Sequence, residues 1–375
     1  MKNFKIDKSN FIVLLFIGSL VFCKGIGLSS DSLIYTLIFI LGSFFAIIKI
    51  LNEKYSKKEV FLCFLLVTIG LLDFIIGKDS TLLFTAVILS CLKNVNLKKI
   101  IKIMFILRLI TFLGIILLTE FGFLQNNYIE FFRDGEGIIK RYSFIFGHPN
   151  LAHSSFDIII FLGLYLFYNK INIFNALIII TANYVLYKYT YSRTGFILCI
   201  FIIFFTLIYK KSNFLKKSLF KILPYSLFIF TLISIIIGLL YDKIGFVKIL
   251  DSLLTGRISY INILLRNYNV PIIGSSIYNN YVNFDNGYIT LLYEGGLLAF
   301  LWFNYVSFET NKIIVQKNMY REGLLIFAFL LYSFTESYYS NILMNASLIF
   351  FSIYMFKTNS KEDINNESNN INSNI

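Results

Sequence analysis

The sequence predicts an all-α, polytopic integral membrane protein with about 12 transmembrane helices. Of its 375 residues, 57% are hydrophobic, and the apolar residues cluster in long runs. Only 15% of the residues are charged, against about 25% in an ordinary soluble protein. A spanning helix needs about 20 mostly apolar residues, so this composition supplies on the order of ten such helices. A soluble enzyme, a secreted disulfide scaffold and a disordered chain are therefore excluded.

The apolar runs, taken in chain order, give the predicted spans. The first is a retained span rather than a removable signal peptide, because no small-residue cleavage site follows it. The run at 80–92 is short, and the last two runs are also compatible with a re-entrant hairpin. One helical domain is expected over 1–356, followed by an Asn/Ser-rich disordered tail at 357–375. The predicted spans are 10–28, 32–48, 60–77, 80–92, 103–119, 151–168, 173–189, 195–209, 222–240, 287–306, 323–339 and 341–356.

The net charge of +13 would indicate nucleic acid binding in a soluble protein, but in a membrane protein it indicates basic cytoplasmic loops. With the N-terminus inside, the inner segments hold 22 of the 34 Lys and Arg residues and the outer segments 11. This asymmetry predicts a multi-pass membrane protein with both termini cytoplasmic and no nucleic acid partner. The abundance of Ile, Lys, Asn, Phe and Tyr suggests a bacterial genome, and hence the bacterial cytoplasmic membrane. Two longer extracytoplasmic loops follow, at about 120–150 and 241–286.

The type of basic residue differs between the two sides. The inner segments contain one arginine, Arg321, whereas the outer segments contain five. The guanidinium is permanently charged and matches the geometry of phosphate and carboxylate groups. The distribution therefore indicates anion chemistry on the outer face. The outer arginines are Arg133, Arg141, Arg193, Arg257 and Arg266.

Few residue types in the chain suit metals or cofactors. The four cysteines lie in apolar runs without paired spacing, and there are only two histidines, so we expect neither disulfides nor a metal site. No Walker loop or dinucleotide fingerprint is present. We accordingly expect no cofactor.

The first polar motif is the sequence Gly-His-Pro-Asn at 147–150, which follows Arg141 and leads into the sixth predicted span. These residues form a turn and a helix cap, with backbone donors exposed at the positive end of the helix dipole. The motif is either a capped helix entrance only or an anion site to which His148, Asn150 and Arg141 contribute.

A second motif, Ser-Arg-Thr-Gly at 192–195, opens the eighth predicted span. Arg193 is either an interfacial anchor or a ligand that binds phosphate oxygens in a bidentate manner.

The third motif runs from Thr-Gly-Arg at 255–257 to Asp-Asn-Gly-Tyr at 285–288. Residues 257–266 have a helical apolar stripe, which predicts a short amphipathic helix on the outer membrane surface. Asp285 is either a general base toward a sugar hydroxyl or a cap of the next span. The rings of Tyr278, Tyr281 and Tyr288 are candidates for stacking on sugars.

Ionisable residues within the predicted spans are expected to face the bundle or a wet cavity, because they are costly in lipid. His153 and Asp157 are four residues apart on one helix face, so they can pair. Proton relay, a substrate cavity and structural pairing all remain open for this set. It comprises Asp73, Arg108, Asp157, Glu294 and Glu336.

Taken together, these motifs resemble the O-antigen polymerase and ligase superfamily, which includes the Wzy-type repeat-unit polymerases of O-antigen, capsule and exopolysaccharide pathways. The resemblance covers about 140–300 and rests on the order and sidedness of short motifs. In chain order they are Arg141, the motif at 147–150, the motif at 192–195, the motif at 255–257, Asn269 and Pro271 with Gly274, the motif at 285–288, and Gly295 with Gly296.

The resemblance implies a helical fold like that of glycosyltransferase-C enzymes and an outward-facing, metal-independent glycosyltransferase. Its donor would be a polyprenyl-diphosphate-linked oligosaccharide, and its partners would include membrane lipid, a flippase and a chain-length regulator. Arg193 and Arg257 would hold the diphosphate. The expected catalytic residues are Arg193, Arg257, Asp285 and His148, and the expected substrate-binding residues are Arg141, Asn150, Arg266, Tyr288 and Glu294.

Two other functions remain open. A ligase would transfer finished glycan to a different acceptor, and the ligases carry a histidine near the position where Asp285 stands. A flippase of lipid-linked oligosaccharide would place cations within its spans, whereas here only Arg108 is intramembrane. The arginine distribution therefore favours the polymerase.

Overall fold

The computed structural model describes residues 8–28, 32–133, 137–276 and 285–356. This part of the chain is mostly helical, with a single two-stranded antiparallel sheet. Two 3-10 segments, Leu223–Tyr225 and Ala346–Phe350, join or precede helices. The helices are α1 Lys8–Gly25, α2 Leu33–Asn52, α3 Lys57–Ile76, α4 Thr81–Ser90, α5 Leu97–Glu120, α6 Pro149–Leu166, α7 Ile173–Thr190, α8 Arg193–Lys211, α9 Asn213–Ile222, α10 Ser226–Leu240, α11 Gly245–Leu253, α12 Arg257–Asn267, α13 Gly287–Tyr293, α14 Gly296–Gln316, α15 Tyr320–Tyr332 and α16 Phe351–Met355.

Within the described ranges, five helical segments are long and apolar enough to cross a membrane. They are α2, α3, α5, α8 and the continuous stretch Asn213–Leu240. Three shorter apolar helices accompany them, at Asn10–Gly25, Thr81–Ser90 and Ala346–Met355. The helical, membrane-embedded class is thus confirmed, while the number of about 12 spans stays a prediction.

The chain forms two compact units. The first consists of Met1–Phe44 and Lys98–Lys216, and the second of Phe45–Leu97 and Lys217–Ile375. A buried apolar cluster in the first unit joins α5, the segment before α6, α6 itself and α7. Its fully or nearly fully buried members are Phe112, Ile115, Phe144, Phe146, Ala152, Ile159 and Leu186.

The first unit also contains a hairpin that the all-α prediction missed. Strand β1, Asn127–Arg133, pairs with β2, Gly137–Phe144, in antiparallel register. Both strands are rich in aromatic and β-branched residues, and more and less exposed residues alternate along most of β2, which is the pattern of a half-exposed ribbon. The alternation buries Arg141 and Ser143 on one face, while Lys140 is exposed on the other. The hairpin therefore delivers the Arg141 guanidinium to the interior of the unit.

In the second unit, the predicted helix at 257–266 is confirmed as α12. Ile258 and Ile261, on the predicted apolar stripe, are buried. Asn262, on the same turn as Ile261, donates to the carbonyl of Gly238 over 2.8 Å. This helix packs against α10, so its apolar face is a protein interface.

The predicted continuous span 287–306 is interrupted in the structure. α13 ends at Tyr293 and α14 begins at Gly296, whose φ of +78° is left-handed and suits glycine. The carbonyls of Pro271 and Ile272 accept hydrogen bonds from the first backbone N–H groups of α14. A loop thereby satisfies donors that a helix start leaves unpaired.

The last two predicted spans, 323–339 and 341–356, also differ from the structure. α15 ends at Tyr332, and α16 covers only five residues after a 3-10 segment. The intervening stretch is irregular but contains buried side chains, among them Glu336 and Asn345. Some of its polar groups are paired within the stretch, since Asn345 Nδ2 donates to the carbonyl of Tyr339 over 2.9 Å.

Two lysines of the second unit are buried. Lys49 Nζ donates to the carbonyls of Cys91 (3.0 Å) and Lys93 (2.5 Å). Lys93 Nζ in turn donates to the carbonyl of Lys54 and to Glu59, both over 2.6 Å. A lysine at the carbonyl end of a helix is favourable for the helix dipole, and here Lys49 completes the end of α4.

Candidate functional site

The start of α6 in the first unit carries the first predicted motif. His148 is the N-cap: its Nδ1 accepts a hydrogen bond from the backbone N–H of Asn150 over 3.2 Å, and Pro149 occupies the first helical position. This is the arrangement that a capped helix entrance requires. His148 therefore has a structural role whether or not it also meets substrate.

Arg141 and Asn150, both predicted to bind substrate, are brought together. Arg141 Nη2 donates to Asn150 Oδ1 over 2.7 Å, and Arg141 Nε donates to the carbonyl of Thr190 over 3.0 Å. The arginine is buried. Because Thr190 ends α7, the guanidinium also lies at the negative end of that helix dipole.

Below this arginine lies a polar network centred on His153. Its Nδ1 is 3.0 Å from Thr190 Oγ1, and its Nε2 is 3.0 Å from Asn183 Oδ1. Asp157 Oδ1 is 3.8 Å from the same Nε2, so the two predicted partners share a face but are separated by more than a hydrogen bond. All four side chains are fully buried. Thr190 links the network to Arg141, because its carbonyl accepts from Arg141 and its hydroxyl bonds to His153.

Arg193 is the first residue of α8 and is half-buried. Tyr191, just before it, adopts a left-handed conformation with φ of 48°, which reverses the chain between α7 and α8. Ser192 occupies the N-cap without a side-chain cap bond. Gly195, two residues after Arg193, packs directly on His153 and Asp157. The second motif therefore holds α8 against the polar face of α6.

The second unit contains a separate cluster around Arg257. Its Nη2 lies 3.0 Å from Asp285 Oδ2 and 3.5 Å from Glu336 Oε1. The side chains of Arg257 and Glu336 are only 4% and 6% exposed, whereas that of Asp285 is 31% exposed. A buried guanidinium must be paired because an uncompensated interior charge is very costly. Here one cation is shared by two carboxylates, and only Asp285 also reaches solvent.

The turn before α12 positions Arg257. Thr255 and Gly256 both have positive φ, 58° and 85°. Asp251 Oδ1 accepts from the backbone N–H groups of Ile258 (2.7 Å) and Ser259 (3.1 Å), so this carboxylate satisfies the start of α12. Sequence reasoning missed Asp251, because a cap supplied from six residues before the helix has no fixed spacing.

The beginning of α13 excludes one of the two roles considered for Asp285, that of helix cap. The cap is Asn286, whose Oδ1 accepts from the N–H groups of Tyr288 (3.2 Å) and Ile289 (3.1 Å). Its Nδ2 donates to Ser234 Oγ over 3.1 Å. The Asp285 carboxylate is thereby left to Arg257. Burial raises the pKa of the Asp285 carboxyl above its ordinary value, and the guanidinium of Arg257 acts in the opposite direction.

Gly287 brings the start of α13 close to the segment that carries Glu336. Its backbone N–H donates to the carbonyl of Ser333 over 2.7 Å. A Cβ at this position would lie 2.9 Å from the backbone nitrogen of Tyr339 and 3.0 Å from the carbonyl oxygen of Glu336. Only glycine allows the start of α13 to approach the Glu336 segment so closely.

The other predicted residues lie apart from this cluster. Arg266 forms a largely exposed ion pair with Asp242 over 2.7 Å. Tyr288 is fully buried and donates to the carbonyl of Leu330, which leaves no exposed ring face for a sugar. Glu294 is the C-cap that follows α13, and its carbonyl accepts from the N–H of Ser275 over 3.2 Å. Tyr278, Tyr281 and the side chain of Arg133 lie outside the described residues.

Sequence reasoning did not assign Glu336 to the site. It recognised the residue as a costly intramembrane carboxylate, but the contact with Arg257 spans 79 residues of chain. In the described ranges, no three side chains of His, Cys, Asp or Glu are placed to hold a metal ion.

The fold and the two polar clusters define a helical, membrane-embedded protein. Each cluster contains a buried arginine, Arg141 or Arg257, that is bound by polar side chains near the end of a helix. Comparison of the chain with protein-family models, with curated proteins and with solved structures found no match.

Proposed function

We propose that this chain is a metal-independent glycosyltransferase that polymerises polyprenyl-diphosphate-linked oligosaccharide repeat units. The product is a surface polysaccharide, such as O-antigen, capsule or exopolysaccharide, made on the outer face of the cytoplasmic membrane. The observation that carries the proposal is the contact between the buried guanidinium of Arg257 and the partly exposed carboxylate of Asp285, 3.0 Å apart.

Arg257 serves the leaving group. As the bond from the anomeric carbon to the diphosphate oxygen breaks, the electron pair passes to the diphosphate, which gains negative charge. A fixed guanidinium in a poorly solvated site stabilises that charge strongly, because it needs no reorganisation during the reaction. Arginine also binds two phosphate oxygens at once.

Asp285 serves the acceptor. Of the two carboxylates on Arg257 it is the more exposed, so an entering diphosphate displaces Asp285 rather than Glu336. The freed carboxylate then takes the proton of the acceptor sugar hydroxyl while the hydroxyl oxygen attacks the anomeric carbon. A raised carboxyl pKa makes Asp285 a stronger base for this step.

The first unit holds its own set of residues that suit a sugar or a phosphate group. Arg141 and Asn150 present a buried guanidinium and an amide at the start of α6, and Arg193 opens α8. The amide of Asn150 and the guanidinium of Arg141 suit sugar hydroxyl and phosphate oxygens. We assign these residues to substrate binding.

The test uses a strain in which the chromosomal gene is deleted and replaced by variants. Arg257→Ala is expected to abolish long polymer while single lipid-linked repeats accumulate at unchanged protein level. Arg257→Lys is expected to restore little, because the ammonium loses the bidentate geometry. Arg321→Ala, in the same unit, is the matched arginine control and is expected to leave chain lengths normal.

Each outcome bears on the alternatives. Wild-type chain lengths in Arg257→Ala would refute the site assignment. Repeats trapped on the inner leaflet would indicate a flippase, and full-length polymer retained on the lipid carrier would indicate a ligase. Only loss of polymer with single repeats on the outer leaflet supports the polymerase.

A further inference from the structure

The first unit contains a cavity of about 670 Å³ between the beginning of α7 and the end of α8. Its lining divides into an apolar wall and a polar end. The wall includes Ile173, Phe204 and Ile208, whose side chains are 60%, 45% and 56% exposed. Because α8 is apolar enough to span a membrane, this wall is suited to a hydrocarbon chain.

The polar end carries positive charge without a compensating acid. Lys210 and Lys211 line the cavity, and no Asp or Glu does. Lys210 Nζ is engaged, since it donates to the carbonyls of Asn169 (3.3 Å) and Ile171 (2.6 Å). Lys211 is exposed, and in the described part of the chain its Nζ forms no ion pair. Lys210 is thus held by backbone carbonyls at the polar end of the cavity, and Lys211 is the lysine that can bind an anion there.

The backbone adds to the positive potential at the polar end of the cavity. α7 begins at the cavity, with Asn172 as its N-cap. The N-terminus of a helix carries about half a positive charge and exposes backbone donors. Its potential has the same sign as that of Lys211, so both favour an anionic group at this end.

We propose that the cavity binds one anionic phospholipid, with its phosphate at Lys211 and an acyl chain along Phe204 and Ile208. The volume of about 670 Å³ falls within the usual size of ligand sites, about 300–1,000 Å³. A free phosphate would occupy only the polar end and make no contact with the apolar wall. The combination of charge and hydrocarbon surface specifies a lipid.

The site lies far from Arg193, the proposed substrate-binding residue at the other end of α8. α8 has 19 residues, so its two ends are about 28 Å apart, close to the hydrocarbon thickness of a bilayer. Arg193 stands at one end of α8 and Lys211 at the other. Lipid binding at Lys211 therefore does not involve Arg193, and it can be measured without glycosyl transfer.

The experiment titrates purified full-length protein in neutral detergent with phosphatidylglycerol or phosphatidylcholine and counts retained lipids by native mass spectrometry. Wild type is expected to retain one phosphatidylglycerol in preference to phosphatidylcholine. Lys211→Gln is expected to weaken phosphatidylglycerol binding about fivefold, the effect of one lysine near anionic lipid. Ile208→Trp, which fills the apolar wall without changing charge, is expected to weaken both lipids.

Lys98→Gln is the matched control, since Lys98 is an exposed lysine of the same unit that does not line the cavity. It is expected to bind like wild type. Equal loss in Lys98→Gln and Lys211→Gln would show diffuse surface charge and overturn the proposal. Equal retention of the two lipids by wild type would do the same. Displacement by glycerol phosphate at the concentration of the lipid would assign the site to a free phosphate instead. If Lys211→Gln fails to fold, the lipid preference of the wild type and the binding by Ile208→Trp still test the proposal.

Discussion

Gly195 lies so close to His153 that any side chain at position 195 would collide with the imidazole. A Cβ there would stand 2.5 Å from His153 Cδ2 and 2.8 Å from Asp157 Oδ2. The absence of a side chain on α8 is therefore what lets two buried polar groups of α6 fit between the helices. Their network ends at Thr190, which binds Arg141.

We predict that Gly195→Ala separates α6 from α8 and lowers the free energy of unfolding by about 1–3 kcal/mol, the usual cost of overpacking. Thermal unfolding of the purified protein in detergent measures this loss. Gly114→Ala is the control: a Cβ at this glycine of α5 meets nothing within 4 Å, so alanine should leave stability unchanged or slightly higher. Equal melting temperatures for the two variants would contradict the packing argument.

We predict that Gly287→Ala impairs polymer formation more than its effect on stability would explain. The added Cβ must push the start of α13 away from the carbonyl of Glu336, which moves Asp285 relative to Arg257. Polymer length and protein level are measured in the deletion strain. Gly245→Ala, where a Cβ meets no neighbour within 4 Å, should behave like wild type. Normal polymer in Gly287→Ala would show that the spacing of the two carboxylates is unimportant.

The buried pair of Lys93 and Glu59, 2.6 Å apart, gives a stability prediction. Glu59→Gln keeps an acceptor for the backbone N–H of Ser56 but leaves the Lys93 charge uncompensated, so we expect a loss of about 3–5 kcal/mol. Adding Lys93→Met should recover part of it. Glu53→Gln, which alters an exposed hydrogen bond to Asn94, should cost less than about 1 kcal/mol. If Glu59→Gln melts like Glu53→Gln, the pair contributes little.

The predicted topology is tested by single cysteines in a Cys63→Ala background. The other three native cysteines are buried. Ser252→Cys, in the loop 241–286, should react with a membrane-impermeant maleimide in intact cells, because that loop is predicted to be extracytoplasmic. Lys98→Cys should react only after the membrane is opened. The reverse pattern would invert the assignment and move Arg257 to the cytoplasmic side.

Local patterns in the sequence carried much of this structure. The apolar stripe at 257–266 predicted α12 to within one residue, since burial of one face requires that spacing. The motif at 147–150 predicted the start of α6, because proline and a capping side chain act on their immediate neighbours. The spacing of His153 and Asp157 likewise predicted a shared helix face.

Contacts between residues far apart in the chain could not be predicted from the sequence. The contact of Glu336 with Arg257 depends on how a stretch without regular structure folds back on α12, and no periodicity reports that. The break at Gly296 was hidden because the residues on both sides are as apolar as a continuous span. The hairpin was missed because its strands are flanked by polar loop residues, which suggested a loop. Each miss occurs where tertiary packing, rather than local preference, determines the backbone.

The burial of Lys49 and Lys93 shows that a lysine can have one role during membrane insertion and another in the folded protein. Both lie in segments predicted to be cytoplasmic, where their charges help to orient the chain as it inserts. After folding they are only 2% and 6% exposed and are bound to main-chain carbonyls and Glu59. A count of lysines along the chain thus measures the charge available during biogenesis and overstates the electrostatic potential that the mature protein presents to lipid headgroups.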